Sequence, residues 1–163
     1  MTKKELNAII TAEFRRFDIS KVKMASDFEY NYNKNIITYT LDMTSDSDML
    51  FSKFLATRFD FEDKHPFIMS LLHEVGHAKN NDDIDGDVYA FCLAEKYKIA
   101  KEIEDTEDLD SERYENLLNR YFNLPDEIMA TTWAVNYATS HKKQVKEMRK
   151  RIDKAINEYL ITN

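Results

Sequence analysis

The sequence His73-Glu74-Val75-Gly76-His77 places two imidazoles four residues apart. On an α-helix this spacing brings both rings to one face, where they can bind the same tetrahedral zinc ion. Glu74 lies about 100° around the helix from His73, so it can reach a zinc-bound water without taking a coordination position. The motif therefore predicts zinc-dependent hydrolysis of peptide bonds, with His73 and His77 as metal ligands and Glu74 as the general base.

The segment around this motif, residues 67–79, is apolar on nearly every side, and Pro66 before it is suited to the first turn of a helix. Two histidines and a carboxylate buried in such a helix are costly unless a metal or hydrogen bonds satisfy them. Gly76 is one of only two glycines in the chain, and a glycine inside a helix costs about 1 kcal/mol relative to alanine. We therefore expect another backbone, or the helix of a third ligand, to approach Gly76 closely.

With this motif the chain resembles the zincins, and among them the gluzincins, particularly the minigluzincin type that includes the ImmA/IrrE-like proteins. The resemblance implies a small sheet, an HExxH helix beneath it, and a second helix whose glutamate is the third zinc ligand. It also implies a site-specific peptidase that cleaves one or a few cytoplasmic proteins, of a kind common in phages and mobile elements. No further histidine follows His77 at short range, so the metzincin extension is missing.

Glu127 is the predicted third ligand. It lies in the segment Leu124–Ala138, where Glu127 and Ala130 match the Glu-x-x-Ala pattern of gluzincin glutamate helices. The small alanines of this segment would let its helix lie close to the HExxH helix. The presence of Glu127 can also be explained without a metal. Asp126 and Glu127 fall in a first helical turn, where the helix dipole favours negative charge.

Asp87 is the alternative third ligand. It follows His77 more closely in the sequence and also precedes an alanine, Ala90, by three residues. Asp87 too lies near the start of a predicted helix, so the helix dipole explains it equally well.

The oxyanion that develops during peptide hydrolysis needs a hydrogen-bond donor besides the metal. Tyr137, His141 and His65 are the candidates. Each also has a structural explanation, since tyrosines at helical spacing usually pack and His141 begins a basic surface helix. Trp133, the only tryptophan, is predicted to lie in the core.

Hydrophobic periodicity predicts a mainly helical α+β fold, and the length fits one domain over residues 1–163, which the resemblance implies is zincin-like. The scarcity of glycine and proline, two of each, disfavours a turn-rich all-β fold. Alternating aromatic and polar residues predict a small antiparallel sheet, a hairpin near residues 28–41, and the resemblance implies that it packs on the HExxH helix. Residues 49–61 fit either a helix or a strand. The other predicted helices are one capped by Thr2, one over residues 67–79, one from Asp87 to about Ile103, one from Asp110 or Ser111, one from Pro125, and one capped by Thr139 or Ser140.

The formal net charge of −7 argues against general nucleic-acid binding, which needs a clustered positive surface. Positive charge does gather in residues 141–154, where a charged partner could bind. These lysines and arginines could equally form a solvated helix face or pair with the acidic segment 82–115.

No apolar run is long enough to span a bilayer, and the N-terminus lacks the apolar core of a signal peptide. The sequence therefore predicts a cytoplasmic protein without a membrane partner. Its lone cysteine, Cys92, lies in the apolar run 88–94 and is predicted to be a packed thiol.

Two functions of different class follow from the motif. The first is a zinc metallopeptidase acting on an intracellular protein or peptide. The second is a catalytically silent binding or regulatory protein that keeps the zincin scaffold. Glu74 favours the peptidase, because it supplies the base that hydrolysis needs. The ligand set favours it too, since two histidines and one carboxylate leave a fourth zinc position open, whereas structural zinc usually has four protein ligands.

Overall fold

The computed structural model describes residues 1–106 and 108–163, which form a mainly helical α+β fold, as predicted. The strands are β1 (Lys21–Met24), β2 (Glu29–Asn31) and β3 (Ile36–Tyr39). The helices in this described part are α1 (Lys3–Phe14), α2 (Asp46–Phe59), α3 (Pro66–Asn80), α4 (Gly86–Asp105), α5 (Ser111–Phe122), α6 (Pro125–Ser140) and α7 (Lys142–Thr162). Single 3-10 turns cover Arg15–Phe17 and Tyr32–Lys34.

The sheet has the order β1-β3-β2, so β2 and β1 are its edges. The predicted hairpin is confirmed, because β2 and β3 pair antiparallel, with Tyr30 opposite Ile37. The prediction of a wholly antiparallel sheet is wrong, since β1 pairs parallel to β3 and makes the sheet mixed. Sequence periodicity missed β1 because the strand has only four residues. Its position depends on α1, where the Thr11 hydroxyl accepts a hydrogen bond from the Val22 amide at 2.9 Å.

The sheet packs on α3, as expected for the HExxH helix. Phe67 in the first turn of α3 contacts Tyr39 of β3 and Phe28, with ring centroids 5.5 and 5.7 Å apart. Such edge-to-face contacts add to the free energy gained by burying the rings. The packing fixes α3 beneath the sheet, so the motif faces the β2 edge.

The ambiguous segment 49–61 is helical. Helix α2 begins after Ser45, whose hydroxyl accepts a hydrogen bond from the Asp48 amide, and ends before Asp60 in the left-handed region at φ 50°. Of its residues only Phe54 and Leu55 are buried. A helix with such a narrow buried stripe has a weak apolar period, which explains why the sequence pattern left two assignments open.

Helices α3 and α6 form the most extensively packed helix pair in the molecule. They approach most closely where Gly76 of α3 faces Ala130 of α6. A Cβ built on Gly76 would lie 2.7 Å from the Ala130 Cα and still closer to the Ala130 carbonyl oxygen. The prediction that another backbone needs the space at Gly76 is therefore confirmed, and the approaching helix is the one that carries Glu127.

Helix α4 lies on the outside of the fold, and only Cys92 and Ile99 among its residues are buried. The packed Cys92 thiol is as predicted. Several large apolar side chains of α4, among them Leu93 and Tyr97 at 49 % and 70 % exposure, remain open to solvent. The helix therefore leaves an apolar surface beside the motif.

The C-terminal helix α7 begins one residue later than predicted. His141 occupies the cap position, without a side-chain capping bond, in place of Thr139 or Ser140. Part of the basic charge of α7 is paired, since Arg151 binds Glu13 of α1 and Arg149 lies 3.6 Å from Asp153. Among the described residues, no helix combines the length and the apolar character that crossing a membrane requires.

Candidate metal centre

The two motif histidines project from α3 toward the first turn of α6. Each of these helices begins with a proline, Pro66 and Pro125, whose fixed φ suits a first helical turn. His73 and Glu127 are only 7 % and 2 % exposed, and His77 is partly buried. Close packing at Gly76 thus brings a buried carboxylate against two imidazoles.

The ligand atoms of His73, His77 and Glu127 lie within 4.8 Å of one another. The two Nε2 atoms are 3.1 Å apart. Glu127 Oε2 lies 2.9 Å from His73 Nε2, and Glu127 Oε1 lies 3.3 Å from His77 Nε2. This group could hold a metal ion.

These separations fit a tetrahedral metal. Zinc binds nitrogen and oxygen ligands at 2.0–2.2 Å, so neighbouring ligands of a tetrahedral site are roughly 3.3–3.5 Å apart. The observed separations of 2.9–3.3 Å fall slightly short of that. Two imidazoles and one carboxylate are also the protein ligands of a common class of catalytic zinc site.

Thr131 orients the first histidine. The Nδ1 atom of His73 lies 3.1 Å from the Thr131 hydroxyl, to which it can donate its proton. With its proton on Nδ1, the ring would have the Nε2 lone pair available for a metal. A hydrogen bond on the far ring nitrogen is the usual way in which proteins fix a metal-binding histidine.

Glu74 lies beside the three candidate ligands and belongs to α3, but it is not one of the group that could hold the metal. It is 8 % exposed, and burial raises its pKa to about 7, aided by the negative charge of Glu127 and opposed by His73 and by the backbone amide of Tyr30. A carboxylate with a pKa near neutrality can both accept and release a proton at physiological pH.

Glu127 has the opposite character, although it is as deeply buried. Burial disfavours its charged form, but the charge and hydrogen bonds of His77 and His73 outweigh that cost and hold the pKa well below its usual range. The two carboxylates therefore suit different tasks, a charged ligand and a proton carrier.

A cavity of about 630 Å³ opens onto these residues. Its walls include β2, through Glu29 and Tyr30, and α4, through Tyr89, Leu93 and Lys96. Tyr121 of α5 also lines it, where burial and the charges of Glu127 and Glu74 raise the tyrosine pKa. The candidate metal centre therefore lies in a cleft between the sheet edge and the outer helices.

Asp87, the alternative third ligand, is not brought to the centre. It is exposed in the first turn of α4 and belongs to no group of potential ligands found among the described residues. Its position is explained by the helix terminus, where Asp85 caps α4 by accepting bonds from the Asp87 and Val88 amides.

The three predicted oxyanion donors also lie away from the cavity. Tyr137 stacks between Trp133 and His141, with centroids 5.2 and 4.3 Å apart. His65 precedes α3 and contacts Arg149 of α7. Tyr137 lies on α6, the helix that carries Glu127, but on the face that packs against the core beside Phe17.

Sequence reasoning missed Thr131, Lys96 and Tyr121. Thr131 could have been found, because it follows Glu127 by four residues and so shares its helix face. Lys96 and Tyr121 belong to α4 and α5, and only tertiary packing brings them to α6. Nothing in their local sequence distinguishes them from the surface lysines and packed tyrosines of the same helices.

The sequence resemblance to gluzincins is confined to the HExxH motif and the glutamate helix. Support for a metal centre therefore comes from the packing of α3 against α6 and from the distances between the three side chains. No protein-family model, no curated protein and no solved structure matches this chain.

Proposed function

We propose that this chain is a zinc metallopeptidase in which His73, His77 and Glu127 hold the metal and Glu74 is the general base. The observation that carries the proposal is the convergence of three ligand atoms within 4.8 Å, next to a buried glutamate, on the wall of a cavity. The donor set of two imidazoles and one carboxylate supports zinc as the metal.

When bound, zinc supplies Lewis-acid polarisation of the scissile carbonyl and of the attacking water. Glu74 takes the proton from that water and transfers it to the leaving amine, two steps for which a pKa of about 7 is suited. Tyr121, which lines the same cavity, donates a hydrogen bond to the developing oxyanion. Thr131 holds the His73 ring in place throughout.

The substrate in this proposal is an extended segment of a cytoplasmic protein. Edge strand β2 lines the cavity and leaves one row of backbone groups unpaired, which an extended peptide can use. Asp27, Glu29 and Asp48 also line the cavity, and within the described ranges none of them forms an ion pair. These acids favour lysine or arginine beside the scissile bond.

Metal binding tests the ligand assignment. We expect the purified wild type to bind one zinc ion, and Glu127→Gln to lose most of that affinity because a neutral amide is a poor ligand and leaves two histidines alone. Asp87→Asn is the matched control and should bind zinc like the wild type. The measurement is competition with a chromogenic chelator. Full zinc affinity in Glu127→Gln, or its loss in Asp87→Asn, would contradict the assignment.

Cleavage of a peptide mixture tests the reaction and the substrate class together. We expect the zinc-loaded chain to cut peptides from denatured proteins, with lysine or arginine enriched around the cut bonds, as mass spectrometry of the products would record. Chelation should stop cleavage and added zinc should restore it. Cleavage that persists after chelation, or that prefers acidic flanking residues, would count against the proposal.

A further inference from the structure

Lys96 of α4 reaches two buried carboxylates at the metal centre. Its ammonium group donates to Asp126 Oδ2 at 2.5 Å and also to Glu127 Oε1. The side chains of Asp126 and Glu127 are only 9 % and 3 % exposed, while that of Lys96 is 21 % exposed. The ring of Tyr121 lies 5.2 Å from the same ammonium group.

Lys96 divides the two oxygens of Glu127 between different partners. Oε1 accepts from Lys96 and also lies 3.3 Å from His77 Nε2, whereas Oε2 lies 2.9 Å from His73 Nε2. Asp126 holds the lysine from the other side, and Lys96 is its ion-pair partner in the described part of the chain. A hydrogen-bonded cation on Oε1 restricts rotation of the carboxylate and keeps Oε2 facing His73.

We propose that Lys96 is a positioning residue that orients Glu127 toward the metal and thereby sets the affinity of the site. The proposal rests on the zinc site proposed above, because it assigns Lys96 a role only through Glu127. It also gives α4 a function, since this outer helix, with few buried residues of its own, supplies the cation that fixes a ligand on α6.

Charge repulsion between Lys96 and the metal would change zinc affinity in the opposite direction. The ammonium group repels a divalent cation bound at the same carboxylate, so its removal could also strengthen metal binding. Orientation prevails in our proposal, because loss of Lys96 would free Glu127 to rotate and would leave the buried Asp126 carboxylate without its cation. The two effects predict opposite changes in zinc affinity, so one measurement separates them.

The experiment compares the zinc affinities of wild type, Lys96→Met and Lys96→Arg by chelator competition. We expect Lys96→Met to bind zinc 10- to 100-fold more weakly, the range typical for loss of a group that orients a metal ligand. Lys96→Arg keeps the charge and the donors and should recover most of that loss. A merely structural lysine would not produce this rescue in zinc affinity.

Lys98→Met is the matched control, because Lys98 lies on the same helix and, among the residues that the structure describes, pairs only with Glu95. Its zinc affinity should equal that of the wild type. Lys96→Gln serves as a second variant if Lys96→Met does not fold, and thermal unfolding without metal reports folding in each case. Unchanged or tighter zinc binding in the folded Lys96 variants would overturn the proposal, whereas failure of the wild type to bind zinc would instead remove the metal centre itself.

Discussion

Replacing Glu74 by glutamine should lower kcat for peptide cleavage by about 10²- to 10⁴-fold and leave zinc binding close to that of the wild type. Glutamine has nearly the shape of glutamate but cannot accept the proton of the attacking water. Glu74 is not one of the three residues that could hold the metal, so the ligands stay in place. The measurements are kcat on a peptide identified in the cleavage experiment and zinc content of the same preparation.

Glu62→Gln provides the control for this substitution, because the Glu62 side chain is 81 % exposed and, within residues 1–106 and 108–163, pairs only with Lys64. Its kcat and zinc content should be unchanged. A Glu74→Gln variant with wild-type kcat would show that another group is the base. Zinc binding by the wild type with no cleavage of any peptide would instead favour the silent binding protein that shares the same scaffold.

The group of side chains that could hold a metal could be predicted in its essentials, because each part of it has a local signature. His73 and His77 are related by one helical turn, and Glu127 is marked by a proline-initiated helix with a following alanine. The same local reasoning could not choose between Glu127 and Asp87, since both acids lie in first helical turns. The contact between Gly76 and Ala130 brings α6, and with it Glu127, against the motif, whereas Asp87 lies exposed on α4.

Where the sequence was less informative, the missing information lies in contacts between distant segments. Strand β1 is fixed by a backbone hydrogen bond to the Thr11 hydroxyl of α1 and by parallel pairing to β3. Neither contact can be read from a four-residue sequence pattern. Lys96 is polar and lies on an outer helix, so its local sequence fits a solvated residue. Its burial follows only from the position of the first turn of α6 beneath α4.

Gly76→Ala should destabilise the fold by about 1–3 kcal/mol or more, the usual cost of overpacking a well-packed core. Helix propensity alone would favour alanine by about 1 kcal/mol. The steric conflict must exceed that gain, because the new Cβ would meet the Ala130 backbone, with its Cα at 2.7 Å, and backbone cannot rotate away as a flexible side chain can. Thermal unfolding of the metal-free chain should record a fall of about 2–4 °C for each kcal/mol lost.

Gly86→Ala is the matched control, since nothing lies within 4 Å of a Cβ built at Gly86, the first residue of α4. It should be neutral or stabilise the fold by about 0.4–1 kcal/mol, because alanine restricts the unfolded chain more than glycine does. Glu127 lies about one turn before Ala130 on α6, so a shift of α6 at Ala130 would also move Glu127. The Gly76 variant should therefore bind zinc more weakly. If Gly76→Ala unfolded at the wild-type temperature and bound zinc equally well, the close packing of α3 on α6 would not be what positions the third ligand.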